Sequence, residues 1–153
     1  MGKIAHFLLG MLVGLGCAMP AFAAEIPKEQ QARIEGLHYS DMVSPYVKEN
    51  WPDLRSFAIT GLTGDAVGSF SKSEAVVGPG TCTVTVEVRT RERGSATLSL
   101  TFEAEAGGHY LLRPVYRGPA IHASILNRDT GELVARTWTA NKRHRRAEPA
   151  ADP

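Results

Sequence analysis

Of the five histidines in this 153-residue chain, His38, His109, His122 and His144 lie past the N-terminal apolar run. None stands at the close paired spacing that structural or hydrolytic zinc sites use, and no H-E-x-x-H or C-x-x-C occurs. His109 and His122 could still meet across neighbouring strands and hold a metal or small ligand. The simpler reading places one at a turn and the other on a wet strand face. The many Ser and Thr hydroxyls have no G-x-S-x-G elbow and no evident base beside them to make one a nucleophile. Gly61-Leu62-Thr63-Gly64-Asp65-Ala66-Val67-Gly68 is glycine-rich but lacks the lysine of a phosphate loop and the helix that should follow it, which predicts a turn or loop. The expectation is a chain without catalytic residues, metal site or cofactor.

The two cysteines, Cys17 and Cys82, have different settings. Lys3 precedes an apolar run from Ile4 to Leu15, shorter than the roughly 20 residues a spanning helix takes. Pro20 and Ala21-Phe22-Ala23 follow, the pattern of a signal peptide (1–23) cleaved before Ala24, with a periplasmic or secreted bacterial product and no transmembrane span in the mature chain. Gly14-Leu15-Gly16-Cys17 also resembles a lipoprotein signal, although Gly14 stands where leucine is usual; the alternative product is an envelope lipoprotein anchored at Cys17. Cleavage before Ala24 leaves Cys82 alone in an oxidising compartment, so no intramolecular bridge can form. Cys82 is then either a small apolar core residue or an intermolecular thiol, and no basic cluster or histidine adjoins it to lower its pKa.

The formal net charge of +1 sets up no whole-molecule field for nucleic acid. Positive charge is instead gathered at Lys142, Arg143, Arg145 and Arg146, and no packing pattern follows it. Residues 141–153 are expected to form a disordered basic tail, either solubilising or in contact with anionic lipid, lipopolysaccharide or a protein, each cation contributing about 1 kcal/mol near an anionic surface. Arg89, Arg91 and Arg93 sit where a hairpin tip is expected and read as solvated charge.

The elements that would position these residues are mostly strands. Residues 24–53 form an N-terminal extension, partly helical: Pro27 can open a short helix over Lys28 to Leu37, and Met42, Val43, Tyr46, Val47 and Trp51 offer a loose apolar face. From residue 54 the period becomes two. Cys82, Val84, Val86 and Val88 alternate with threonines and Glu87; Leu98, Leu100, Phe102 and Ala104 alternate with Thr97, Ser99, Thr101 and Glu103. Gly94 suits the turn between them, so the two runs make a hairpin with one wet face of hydroxyls. Further strands are expected over His109–Val115, Ala120–Leu126 and Glu132–Trp138, with weaker ones at Arg55–Thr60 and Ser73–Val77. The result is an all-β domain over 54–140, an antiparallel immunoglobulin-like β-sandwich of about seven strands with a short N-terminal helical segment.

Gly78-Pro79-Gly80-Thr81-Cys82-Thr83-Val84-Thr85-Val86, the run from Leu98 through Ala106-Gly107-Gly108-His109-Tyr110 to Leu112, and Asp129-Thr130-Gly131-Glu132-Leu133-Val134 resemble small exported bacterial proteins of unknown function with PEGA-type or immunoglobulin-like modules. The resemblance spans roughly residues 54–138 and supplies no catalytic residue to carry over. Cys82 departs from the basic or polar residue usual after the Pro-Gly turn. Together these readings predict a non-enzymatic envelope protein that binds another envelope protein or the cell-surface layer, for instance by adding a strand at a sheet edge. A small-ligand or metal carrier in the periplasm is the alternative. Intact mass of the protein recovered from a bacterial envelope without reductant should give a monomer beginning at Ala24. A lipidated chain beginning at Cys17, or a disulfide-linked dimer, would contradict that expectation.

Overall fold

A computed structural model of the protein describes residues 25–138. Residues 1–23, expected to be a signal peptide and containing Cys17, and the tail residues Lys142, Arg143, Arg145 and Arg146 lie outside the described residues. Two sheets carry the fold. The strands are β1 (Ala32–Glu35), β2 (Leu54–Gly64), β3 (Val67–Phe70), β4 (Glu74–Val77), β5 (Gly80–Thr90), β6 (Ser95–Ala104), β7 (His109–Arg117), β8 (Ala120–Asn127) and β9 (Leu133–Trp138), with one short helix, α1 (Pro45–Asn50). A six-stranded sheet runs β3-β4-β1-β7-β8-β9 and a three-stranded sheet runs β2-β5-β6. The chain is all-β as expected, with more strands than the alternation revealed. One pairing departs from the antiparallel expectation: β1 lies parallel to β7 while antiparallel to β4. Among the described residues no helix is long and apolar enough to cross a membrane.

The expected hairpin of β5 and β6 forms, with Val84 opposite Leu100, Val86 opposite Leu98 and Gly94 at φ +83° in its turn. Cys82, Val84, Val86 and Val88 are buried, as are Leu98, Leu100, Phe102 and Ala104. They share one cluster with Ala32 and Ile34 of β1, Ala75 and Val77 of β4, Tyr110 and Leu112 of β7, and Ile121, Ala123 and Ile125 of β8. Each Val, Leu or Ile so removed from water contributes about 1.5–3 kcal/mol before chain entropy opposes it. Phe102 and Tyr110 meet edge to face across the two sheets, centroids 4.9 Å apart. The sheets also approach at both margins, β2 against β3 and β4, β6 against β8 and β9.

Several local expectations are corrected. Residues 28–37 are not a helix: a single 3-10 turn at Lys28–Gln30 gives way to β1, where Ala32 and Ile34 point into the core and Arg33 and Glu35 away. A helix that short gains little from propensity, and burial of Ala32 and Ile34 in a sheet outweighs it. The sheet therefore begins before residue 54. Gly61–Gly68 is not a free loop: β2 continues to Gly64 and Val67 starts β3, so the expected turn is confined to Asp65 and Ala66. Gly64 takes φ +148°, where an added Cβ would stand 2.3 Å from the Thr81 carbonyl oxygen. Neither is His122 on a wet face, since β8 is buried on both sides from Ile121 to Ile125. Pro114 in mid-β7 costs no ladder bond on the β1 side, because β1 pairs no further along β7 than Leu111.

Arg93 is not solvated either. It forms an ion pair with Asp53, which is only 5% exposed, donates from Nε to the Gly118 carbonyl at 3.2 Å, and lies 4.2 Å from the centroid of the Tyr116 ring. Burial, reinforced by the Asp53 charge, raises the Tyr116 phenol well above its usual pKa. One side chain thus ties the β5–β6 tip to the β7–β8 turn and to the entry of β2. Arg89, by contrast, pairs with Glu87 at an exposed position. Arg93→Ala should cost about 3–5 kcal/mol in urea unfolding, because it strands a buried carboxylate. Arg89→Ala should cost less than about 1 kcal/mol. Equal costs would mean that Arg93 does not hold the hairpin tip against Asp53 and the β7–β8 turn.

Candidate interaction surfaces

Two surfaces are set up by β1, one at each of its ends. At its C-terminal end the chain leaves the sheet through Gly36, whose N–H donates to the Ser73 carbonyl at 2.7 Å. The segment from Leu37 to Trp51 is then built by local bonds. Asp41 Oδ2 accepts from the His38 N–H at 2.9 Å, and Ser44 Oγ caps α1 by accepting from the Val47 N–H at 3.3 Å, with Pro45 opening the helix. Asn50 Nδ2 donates to the Tyr46 carbonyl at 2.8 Å, and the Trp51 N–H to that of Val47 at 2.7 Å. Leu37, Val47 and Trp51 are buried and anchor the segment to the core. Tyr39, Val43 and Tyr46 stay 89%, 63% and 61% exposed. Tyr46 stands edge-on to Trp51 at 5.8 Å, so its ring is supported from behind. Large apolar side chains concentrated in one anchored segment are the pattern of a contact surface rather than of scattered surface hydrophobes.

At the N-terminal end of β1, on the sheet face turned away from the core, register sets Arg33 beside His109 of β7 and beside Val76 of β4. Lys28, Gln31 and Ala32 line an open cleft of about 240 Å³ together with this row. Arg33 Nε pairs with Glu74 at 3.0 Å. Further along the same sheet, Arg128 pairs with Glu35 at 3.1 Å, while Arg113 Nη1 donates to the carbonyls of Glu35, Gly36 and Leu112 and so caps the end of β1. Burial pulls the Arg113 guanidinium below its usual pKa. The outer face of the three-stranded sheet is different: Thr83 bonds Thr101 at 2.8 Å, Thr85 bonds Ser99 at 3.3 Å, and Thr81 donates to Glu103. Those hydroxyls satisfy one another across the strands.

His109 and His122 do not meet. His122 pairs with Val115, six positions along β7 from His109, which separates them by about 20 Å. His122 Nδ1 lies 3.2 Å from the Thr137 carbonyl, and burial lowers its pKa. No group of three His, Cys, Asp or Glu that could hold a metal occurs among the described residues. One hydroxyl–imidazole contact was invisible in the sequence: Ser73 Oγ lies 3.1 Å from His38 Nδ1, across 35 residues. Both groups are exposed, and Asp41 bonds the His38 backbone rather than its ring, so the contact lacks the carboxylate that orients a catalytic imidazole.

Cys82 is 2% exposed in β5, and burial pushes its thiol up to about 11. An inter-chain disulfide there would require the strand to open. At pH 7–8 the folded protein should consume an aromatic disulfide reagent only at the rate of global opening, and at once in urea; rapid reaction of the native protein would contradict the burial of the thiol.

No family model, no curated protein and no solved structure matches this chain, so its surfaces have to be interpreted on their own chemistry.

Proposed function

We propose that this chain is an exported, non-enzymatic envelope protein of bacteria, an immunoglobulin-like β-sandwich that binds a protein partner through the segment between β1 and β2. The observation that supports it most is the exposure of Tyr39, Val43 and Tyr46 on a segment pinned by Leu37, Val47 and Trp51. Such a display lowers the entropic cost of binding, because the backbone is ordered before the partner arrives. Aromatic side chains are also the residues most enriched among those that dominate interface energies. The pairing of β1 with both β4 and β7 keeps the six-stranded sheet continuous up to the point where the segment leaves it at Gly36. The remaining open strand edges are a second route to a partner, by strand addition.

Photo-crosslinking in the bacterial envelope tests this reading. A photoreactive amino acid at Val43 should give one discrete adduct, and the same group at Ser99, on the hydroxyl face, should give none. Tyr39→Ser with Tyr46→Ser should weaken the adduct at least about tenfold, the loss expected when interface aromatics are truncated. Equal adducts from both positions, or none from Val43, would defeat the proposal.

A further inference from the structure

We infer that the cleft lined by Lys28, Gln31, Arg33 and His109 is a binding site for a phosphate-type oxyanion, a function separate from the protein contact proposed above.

The cleft brings cationic or ionisable groups from three elements to one place. Lys28 comes from the 3-10 turn before β1, Arg33 from β1 and His109 from the start of β7. Register fixes two of them: Arg33 and His109 are direct partners in the parallel β1–β7 pair, so their side chains leave the sheet on the same face. Lys28 lines the same cleft, as does Gln31, whose Nε2 donates to the Ile26 carbonyl at 2.9 Å. No carboxylate lines the cleft. Glu74 pairs with Arg33, its nearest contact being to Nε, and a guanidinium has more donors than this one contact uses. Among the described residues neither the Lys28 ammonium nor the His109 ring has an ion-pair or hydrogen-bond partner.

The geometry selects the ligand class. Arg33 supplies a planar fork of donors, Lys28 a point charge and His109 a ring nitrogen, each carried by a different element. A tetrahedral oxyanion has acceptor oxygens for several such donors at once, whereas a planar carboxylate offers two in one plane. A cleft of about 240 Å³ accommodates a phosphoryl group and a small attached body.

Amide NMR titration of the purified protein at constant ionic strength tests the site, with inorganic phosphate as the probe and acetate as the comparison. Phosphate should shift the amides of Arg33, Val76 and His109 saturably, and acetate should shift them weakly. Arg33→Gln and Lys28→Gln, both at exposed positions, should each weaken phosphate binding about tenfold, while Arg91→Gln at the hairpin tip should change it less than about twofold. Shifts spread over all arginines without saturation, or equal weakening by Arg91→Gln, would overturn the proposal and leave only general charge screening. Two sources of the same chemistry are separated by a further arm. Broadening of these amides by phosphatidylglycerol vesicles but not by phosphatidylcholine vesicles assigns the phosphate to a lipid headgroup. Saturable binding of free phosphate without a vesicle effect assigns it to a soluble phosphate ester.

Discussion

Strand β1, four residues long, joins what would otherwise be two separate pieces of the six-stranded sheet. On one side it pairs antiparallel with β4, on the other parallel with β7, and both Ala32 and Ile34 are fully buried between them. Without it, β3 and β4 would form an isolated pair with exposed edges, and β7, β8 and β9 a second fragment with an open edge at β7. A two-stranded hairpin is marginal in water, and an open edge invites non-native pairing. Sequence distance permits the parallel pairing: β1 and β7 are too far apart to be linked by a hairpin, so no short turn forces them antiparallel.

The two candidate surfaces inherit their positions from this strand. Lys28 and Gln31 precede it, Arg33 lies within it, and the aromatic segment begins directly after it at Gly36. Arg113 secures the junction by donating to the carbonyls of Glu35 and Gly36, just past the point where β1 stops pairing with β7. Close by in sequence, Asp53 leads into β2 and meets Arg93, which reaches the six-stranded sheet through the Gly118 carbonyl. The N-terminal region is thus part of the core rather than an appendage to it.

Much of the fold was legible because period-two alternation is a direct trace of a half-buried strand. The run from Cys82 to Val88 and the run from Leu98 to Ala104 each place four inward side chains in register, too many to arise from a helix. β1 was not legible, because Ala-Arg-Ile-Glu gives only two alternations and follows Lys-Glu-Gln-Gln, all good helix formers. β3 was hidden by Gly68 and Ser69, which carry no hydrophobic signal. Arg93 looked like solvated charge because its partner Asp53 is 40 residues away, and the contact of Ser73 with His38 spans 35; local spacing holds no trace of either. The cleft escaped for the same reason, since Arg33 and His109 become neighbours only through the parallel pairing.

Native-state hydrogen exchange at single-residue resolution measures the role of β1 directly. If Ala32–Glu35 closes the six-stranded sheet, the Ile34 amide exchanges only through global unfolding, with the same protection as Val84 and Val86 in the centre of β5. Exchange of Ile34 through local fraying, orders of magnitude faster than those valines, would contradict the account and detach both candidate surfaces from the core that is held to support them.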